Sequence, residues 1–107
     1  PASWEHAVKA SEESSGAIDT VSDDEILDAH RMLARTEGIF VEPASAAGIA
    51  GIVKSHASGQ IPPDSTVVVT VTGHGLKDPG IAIENAKARS VVVEPDIESV
   101  LGAIGLE

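Results

Sequence analysis

The sequence predicts an α/β chain, part of a layered and mostly parallel sheet flanked by helices. Three observations carry that expectation. Short apolar runs alternate with segments of helical periodicity along the chain. The run TVVVTVT, Thr66 to Thr72, places valines at Val67, Val68, Val69 and Val71, on both parities, so both faces of that strand call for apolar cover. The apolar content is also almost wholly aliphatic: hydrophobic residues make up 42% of the chain, while Trp4 and Phe40 are the whole of its Trp, Tyr and Phe. At 107 residues this supplies one core and not two, so one domain or part of one is expected.

Each element has a local reason. Ser3 to Ala10 sets Trp4, Ala7 and Val8 at helical spacing, with Ser3 placed to cap and Glu5 in the first turn. Gly16 opens a short run, Ala17 to Val21, that reads as a brief strand. Ser22 and Glu25 form an S-x-x-E capping box ahead of Ile26, Leu27, His30, Leu33 and Ala34, the clearest helix start in the chain, and Gly38 supplies its stop. Ile39 to Val41 is a three-residue apolar run. Pro43 suits the first turn of the next helix, Ala44 to Ser58, whose Ala44, Ser45, Ala46, Ala47, Gly48, Ala50 and Gly51 permit close approach to a sheet or another helix. Gly59 ends it, and Pro62, Pro63 and Asp64 turn the chain into the valine strand. Gly80 to Ala88 reads as a loose helical turn and Val91 to Val93 as another short strand. Asp96 to Ile104 reads as a terminal helix with Ile97, Val100, Leu101 and Ile104 on one stripe.

Composition narrows the function. Seventeen acidic residues against 7 basic give a formal net charge of -10, and no segment gathers Lys and Arg into a patch, so nucleic acid and anionic membrane are poor partners. No uncharged run approaches the ~20 residues that span a bilayer, which predicts a soluble protein. The absence of cysteine removes thiol nucleophiles, disulfides and thiolate metal sites, and permits a cytoplasmic setting. The chain starts at Pro1 and its one methionine, Met32, lies inside a helical pattern, which predicts a piece of something longer.

Ligands of parallel sheets gather at the carboxyl ends of the strands, and Thr72-Gly73-His74-Gly75 sits at such an end. The two glycines suit a plain turn better than a phosphate cradle, since the third glycine of a dinucleotide fingerprint and the Gly-Lys-Ser/Thr of a P-loop are both missing. Lys77, beside Asp78, favours a surface ion pair over a Schiff-base role. His74 has no carboxylate or serine partner at fixed spacing, which favours a structural role over acid-base work. His6, His30 and His56 fall one to a helix with no metal-ligand spacing. Asp23, Asp24 and Glu25 complement a helix dipole. Thr72 puts a hydroxyl at the end of an apolar strand, in a dry place where it needs a partner, either a backbone group or a ligand atom.

Two blocks carry a resemblance. EGIFVEPASAAGIAGI, Glu37 to Ile52, and VTVTGHGLKDP, Val69 to Pro79, together resemble the C-terminal part of the threonine synthases, pyridoxal-phosphate enzymes of the tryptophan-synthase-β-like fold, fold type II. PASWEHAVKA at the start and the helix after Glu94-Pro95-Asp96 are similar too, so the likeness covers essentially the whole chain. The first block is shared more loosely with threonine and serine dehydratases; T-G-H-G-L-K-D is more particular to threonine synthases.

The resemblance implies that residues 1–107 are the C-terminal part of a cofactor-binding large domain in an enzyme converting O-phospho-L-homoserine and water to L-threonine and phosphate. It implies pyridoxal 5'-phosphate as cofactor, with Thr72 hydrogen-bonded to its pyridine nitrogen and Gly73 letting the backbone pass close to the ring. A neutral hydroxyl there leaves the nitrogen unprotonated, whereas an aspartate would hold it protonated. The family's Schiff-base lysine and its phosphate loop belong to segments absent from this chain, and Lys77 does not match the lysine's position. The fragment alone is therefore expected to be inactive, with the remainder of the chain as its partner and a homodimer as the intact form. Its uncovered apolar face predicts association with that remainder or with itself.

Two rivals stand beside this reading. A related threonine or serine dehydratase would share Glu42-Pro43 and the hydroxyl, but such enzymes usually carry a Ser/Cys-Gly-Gly/Ala-Asn type of segment where this chain has Thr72-Gly73-His74-Gly75. A small non-catalytic α/β binding module would need a self-contained core.

Overall fold

The computed structural model describes residues 2–85 and 90–106. Five helices are seen among them: α1 (Trp4–Ser14), α2 (Asp23–Glu37), α3 (Pro43–Ala57), α4 (Pro79–Asn85) and α5 (Ile97–Ile104), with a short 3-10 turn at Gly75–Lys77. Ser3 stands at the N-cap of α1 but its side chain makes no capping hydrogen bond; the starts of α2, α3 and α5 follow the local chemistry. Ser22 accepts the Glu25 N–H at 3.2 Å while the Glu25 carboxylate accepts the Ser22 N–H at 2.6 Å, closing the capping box expected from sequence. Gly38, at φ +67°, ends α2 in the left-handed conformation that a side chain would resist. Pro43 opens α3, and the Asp96 carboxylate opens α5 by accepting the Ser99 N–H at 2.8 Å. The loose turn expected over Gly80 to Ala88 is a regular helix as far as Asn85, with the rest of that span outside the described residues.

The core lies between α2 and α3. Ala29 of α2 and Ala46 and Ala50 of α3 are buried with Val41, and Val21, Ile26, Leu33 and Ile49 pack around them. Ala46 is 0% exposed, so the small-residue face of α3 does bring two backbones close, here against a helix. Lys54 holds the preceding segment onto α3 by donating to the Thr20 carbonyl at 2.6 Å. His30, buried on α2, donates from Nε2 to the Val41 carbonyl at 2.9 Å and so ties the α2–α3 connection back to α2. The carbonyl has no proton to give, which fixes Nε2 as the protonated nitrogen.

The expected sheet is not formed among the described residues. Ala17 to Val21, Thr66 to Thr72 and Val91 to Val93 carry no strand, and the pairing seen is one isolated antiparallel bridge, Val41 with His74. That corrects the expectation of a layered, mostly parallel sheet within this chain. The physical reason is that a strand needs a neighbour to take its N–H and C=O groups, and side-chain pattern alone does not supply one. The valines show the same lack of cover: Val68 is 89% and Val92 99% exposed. The radius of gyration, 19.1 Å, exceeds the roughly 13 Å of a compact domain of this length, and the molecule measures 63 × 35 × 19 Å. No described helix is long and apolar enough to cross a membrane.

Candidate functional site

The antiparallel bridge builds the junction where the predicted site residues meet. The Glu42 N–H donates to the Gly73 carbonyl at 2.9 Å, and the Gly75 N–H to the Phe40 carbonyl at 3.1 Å. This clamps the TGHG segment against the start of α3. Both glycines are needed for that approach: a Cβ on Gly75 would enter the Phe40 ring, and one on Gly73 would enter the Glu42 carboxyl group. The Phe40 ring in turn stands edge-on between His30 and His74, with centroids 5.7 and 6.1 Å away.

Ser45, in the first turn of α3, is the polar centre of the junction. It is only 6% exposed. Its Oγ accepts the Gly73 N–H at 2.7 Å and the Thr72 N–H at 3.2 Å, and lies 3.3 Å from Thr72 Oγ1. Thr72 itself is exposed, which corrects the expectation of a dry hydroxyl; with the valine run unpaired, its end is open to solvent. Sequence reasoning missed Ser45, counting it only as one more small residue of α3. The available signal was a single hydroxyl inside the otherwise apolar Ala44 to Ala47 turn, directly after Glu42-Pro43.

The remaining candidates take structural places. Lys77 pairs with Glu42, Nζ to Oε2 at 3.4 Å, so the expected ion pair exists but its partner is not Asp78. The Glu42 side chain makes no capping bond at the N-terminus of α3 and crosses Gly73 toward Lys77 instead. His74 Nδ1 accepts the Leu76 N–H at 3.1 Å and opens the 3-10 turn, which gives the imidazole the structural role favoured from sequence. No described carboxylate or imidazole lies within hydrogen-bond distance of Thr72 Oγ1. Among the described residues, the side-chain partner of Thr72 Oγ1 is the Ser45 hydroxyl.

Residues 2–73 match the family model described as "Pyridoxal-phosphate dependent enzyme". The chain belongs to the pyridoxal-phosphate dependent enzyme family. That membership carries fold type II, and the match ends at Gly73, where the hydroxyl and glycine meet Ser45. Among curated relatives, a protein named threonine synthase from a Bacillus species is 53% identical over 100 residues, 94% of this chain and 28% of the relative. One of the same name from Halalkalibacterium halodurans is 50% identical over 104 residues, 97% of this chain and 29% of the relative. A third, from Mycobacterium tuberculosis, is 52% identical over 96 residues, 89% of this chain and 27% of the relative. This pyridoxal-phosphate dependent enzyme chain thus spans under a third of the length of the relatives it matches.

Proposed function

We propose that this chain is the C-terminal part of a threonine synthase and supplies one wall of its cofactor site. The observation that carries the reading is the identity of 50–53% to proteins of that name across 89–97% of this chain. The reaction is the conversion of O-phospho-L-homoserine and water to L-threonine and phosphate. It removes the γ-phosphate and places the water-derived hydroxyl on the neighbouring carbon.

In this reading Thr72 and Gly73 are the cofactor-binding residues. The corner fits the group: Thr72 is exposed, its Oγ1 lies 3.3 Å from a buried serine hydroxyl, and among the described residues it is hydrogen-bonded to no carboxylate that would force a proton onto a pyridine nitrogen. When bound, pyridoxal 5'-phosphate supplies an electron sink for negative charge developing on substrate carbon. Thr72 donates to the ring nitrogen without changing its charge. Gly73 keeps that stretch of backbone free of a side chain, its Cβ direction already taken by Glu42.

The cofactor-attaching lysine and the phosphate loop come from the remainder of the protein, which also completes the large domain. Its strands are the partners that the valine run at 66–72 lacks here, and pairing with them makes the layered parallel sheet. The intact enzyme is a cytoplasmic homodimer, and the 107-residue chain alone is inactive.

The test is an assay of the full-length protein. Equal amounts of phosphate and threonine from O-phosphohomoserine are expected. Release of a 2-oxo acid and ammonia from threonine, with no turnover of the phosphate ester, would instead identify a dehydratase.

A further inference from the structure

We propose that Ser45 is a positioning residue that fixes the direction of the Thr72 hydroxyl proton. The proposal rests on the reading above, in which Thr72 faces the cofactor's ring nitrogen. A serine hydroxyl has one proton and two lone pairs. The Thr72 and Gly73 N–H groups, at 3.2 and 2.7 Å, both donate to Ser45 Oγ and fill those lone pairs. The serine proton must therefore go to an acceptor, and among the described residues Thr72 Oγ1 at 3.3 Å is the one in reach.

The polarity of the pair follows. If Thr72 donated to Ser45 instead, the serine oxygen would have to accept three hydrogen bonds on two lone pairs. Having accepted from Ser45, Thr72 Oγ1 turns its own proton outward. A buried serine thus converts an exposed threonine, which in water donates and accepts indifferently, into a fixed donor. A fixed donor suits an unprotonated ring nitrogen. Against a protonated nitrogen it would leave the Thr72 proton without a partner.

The experiment uses the full-length holoprotein loaded with cofactor carrying 15N in its ring. The 15N chemical shift reads the protonation and hydrogen bonding of that nitrogen directly, whatever the turnover. The wild-type protein should give the shift of an unprotonated nitrogen that accepts a hydrogen bond. Ser45→Ala should move it and weaken cofactor retention about tenfold, roughly the worth of one such bond. Ser45→Thr, which keeps the hydroxyl, should preserve the wild-type shift, and Thr72→Val should abolish the hydrogen-bonded signal. An unchanged shift in Ser45→Ala alongside a moved one in Thr72→Val would overturn the role of Ser45 and leave the cofactor reading standing. If neither variant moved the shift, Thr72 would not face the nitrogen and both would fall. A protonated nitrogen in the wild-type protein overturns the proposed polarity even if Ser45→Ala does not fold.

Discussion

The stretch from Ser22 to Ala57 and the stretch from Thr66 to Leu106 contain similar proportions of apolar side chains and treat them in opposite ways. In the first, α2 and α3 bury Ala29, Val41, Ala46 and Ala50 against each other. In the second, Val68, Leu76, Ile83, Val92 and Ile97 are all exposed, and α4 and α5 contribute no buried residue. The difference teaches where this chain is complete. A helical hairpin closes on itself through neighbours near in sequence, whereas a valine-rich strand closes only through a ladder that another segment provides. The two regions join where Phe40–Glu42 and Ser45 meet Thr72–Gly75, with Lys77 reaching back to Glu42, and that seam is where the candidate site lies.

The sharpest way to break the comparison is to charge the uncovered region. Val68→Asp should shift the stability of the 107-residue chain by no more than about 0.5 kcal/mol, as for other exposed positions. In the full-length protein, where the strand is proposed to be buried on both faces, it should cost more than about 3 kcal/mol or prevent folding. Urea unfolding of the two forms decides it: equal effects in both would mean the valine face is never covered. Next in size is the seam. Gly75→Ala drives a methyl group into the Phe40 ring and should destabilise by about 1–3 kcal/mol, because the ring, held between His30 and His74, must move. An unchanged thermal midpoint would show that Phe40 yields freely.

The same contrast explains what was legible. The capping box at Ser22, the stop at Gly38 and Pro43 at the head of α3 were readable because each acts within a few residues; the Asp96 cap is equally local, though the sequence reading placed Asp96 inside the terminal helix. The sheet was not, because an apolar run states a need for partners and says nothing of who meets it. The site was half legible. Thr72 was singled out by its place at the end of the valine run and Gly73 by the family resemblance, yet Ser45, which binds both, lies 27 and 28 residues away and looks like any small residue of a tightly packed helix. Lys77 shows the same limit: its sequence neighbour Asp78 was the expected partner, and the fold supplies Glu42 instead.

Within the self-contained region the helix start offers a smaller, pH-dependent effect. Ser22→Ala should cost about 1 kcal/mol, because it leaves the Glu25 N–H uncapped. Hydrogen bonds from the backbone and side chain of Ser22 hold the Glu25 carboxyl below its ordinary value. A lowered folded value means that the unfolded state takes up the proton first as pH falls. The contribution is therefore full above the usual carboxylate range and disappears as pH drops through the folded value. Asp96, lowered by the Ser99 backbone and side chain, follows the same sign at α5. Helix content followed by circular dichroism during acid titration should decline in that window, and Ser22→Ala, which keeps the backbone N–H and loses only the hydroxyl, should weaken the dependence arising from α2 in part.

The smallest effect expected lies on the seam itself and separates its charge from its shape. Lys77 is mostly exposed, so its pairing with Glu42 is screened and Lys77→Ala should change stability by about 0.5 kcal/mol or less. Glu42 is different, because its side chain is largely covered and lies flat over Gly73. Glu42→Gln keeps that shape and loses the charge, while Glu42→Ala loses both. If the carboxylate acts mainly by filling the space that Gly73 leaves open, Glu42→Gln should match Lys77→Ala, and Glu42→Ala should cost visibly more. Equal losses for Glu42→Gln and Glu42→Ala, both larger than for Lys77→Ala, would mean that the charge holds the TGHG segment and that the glycine is there to admit it.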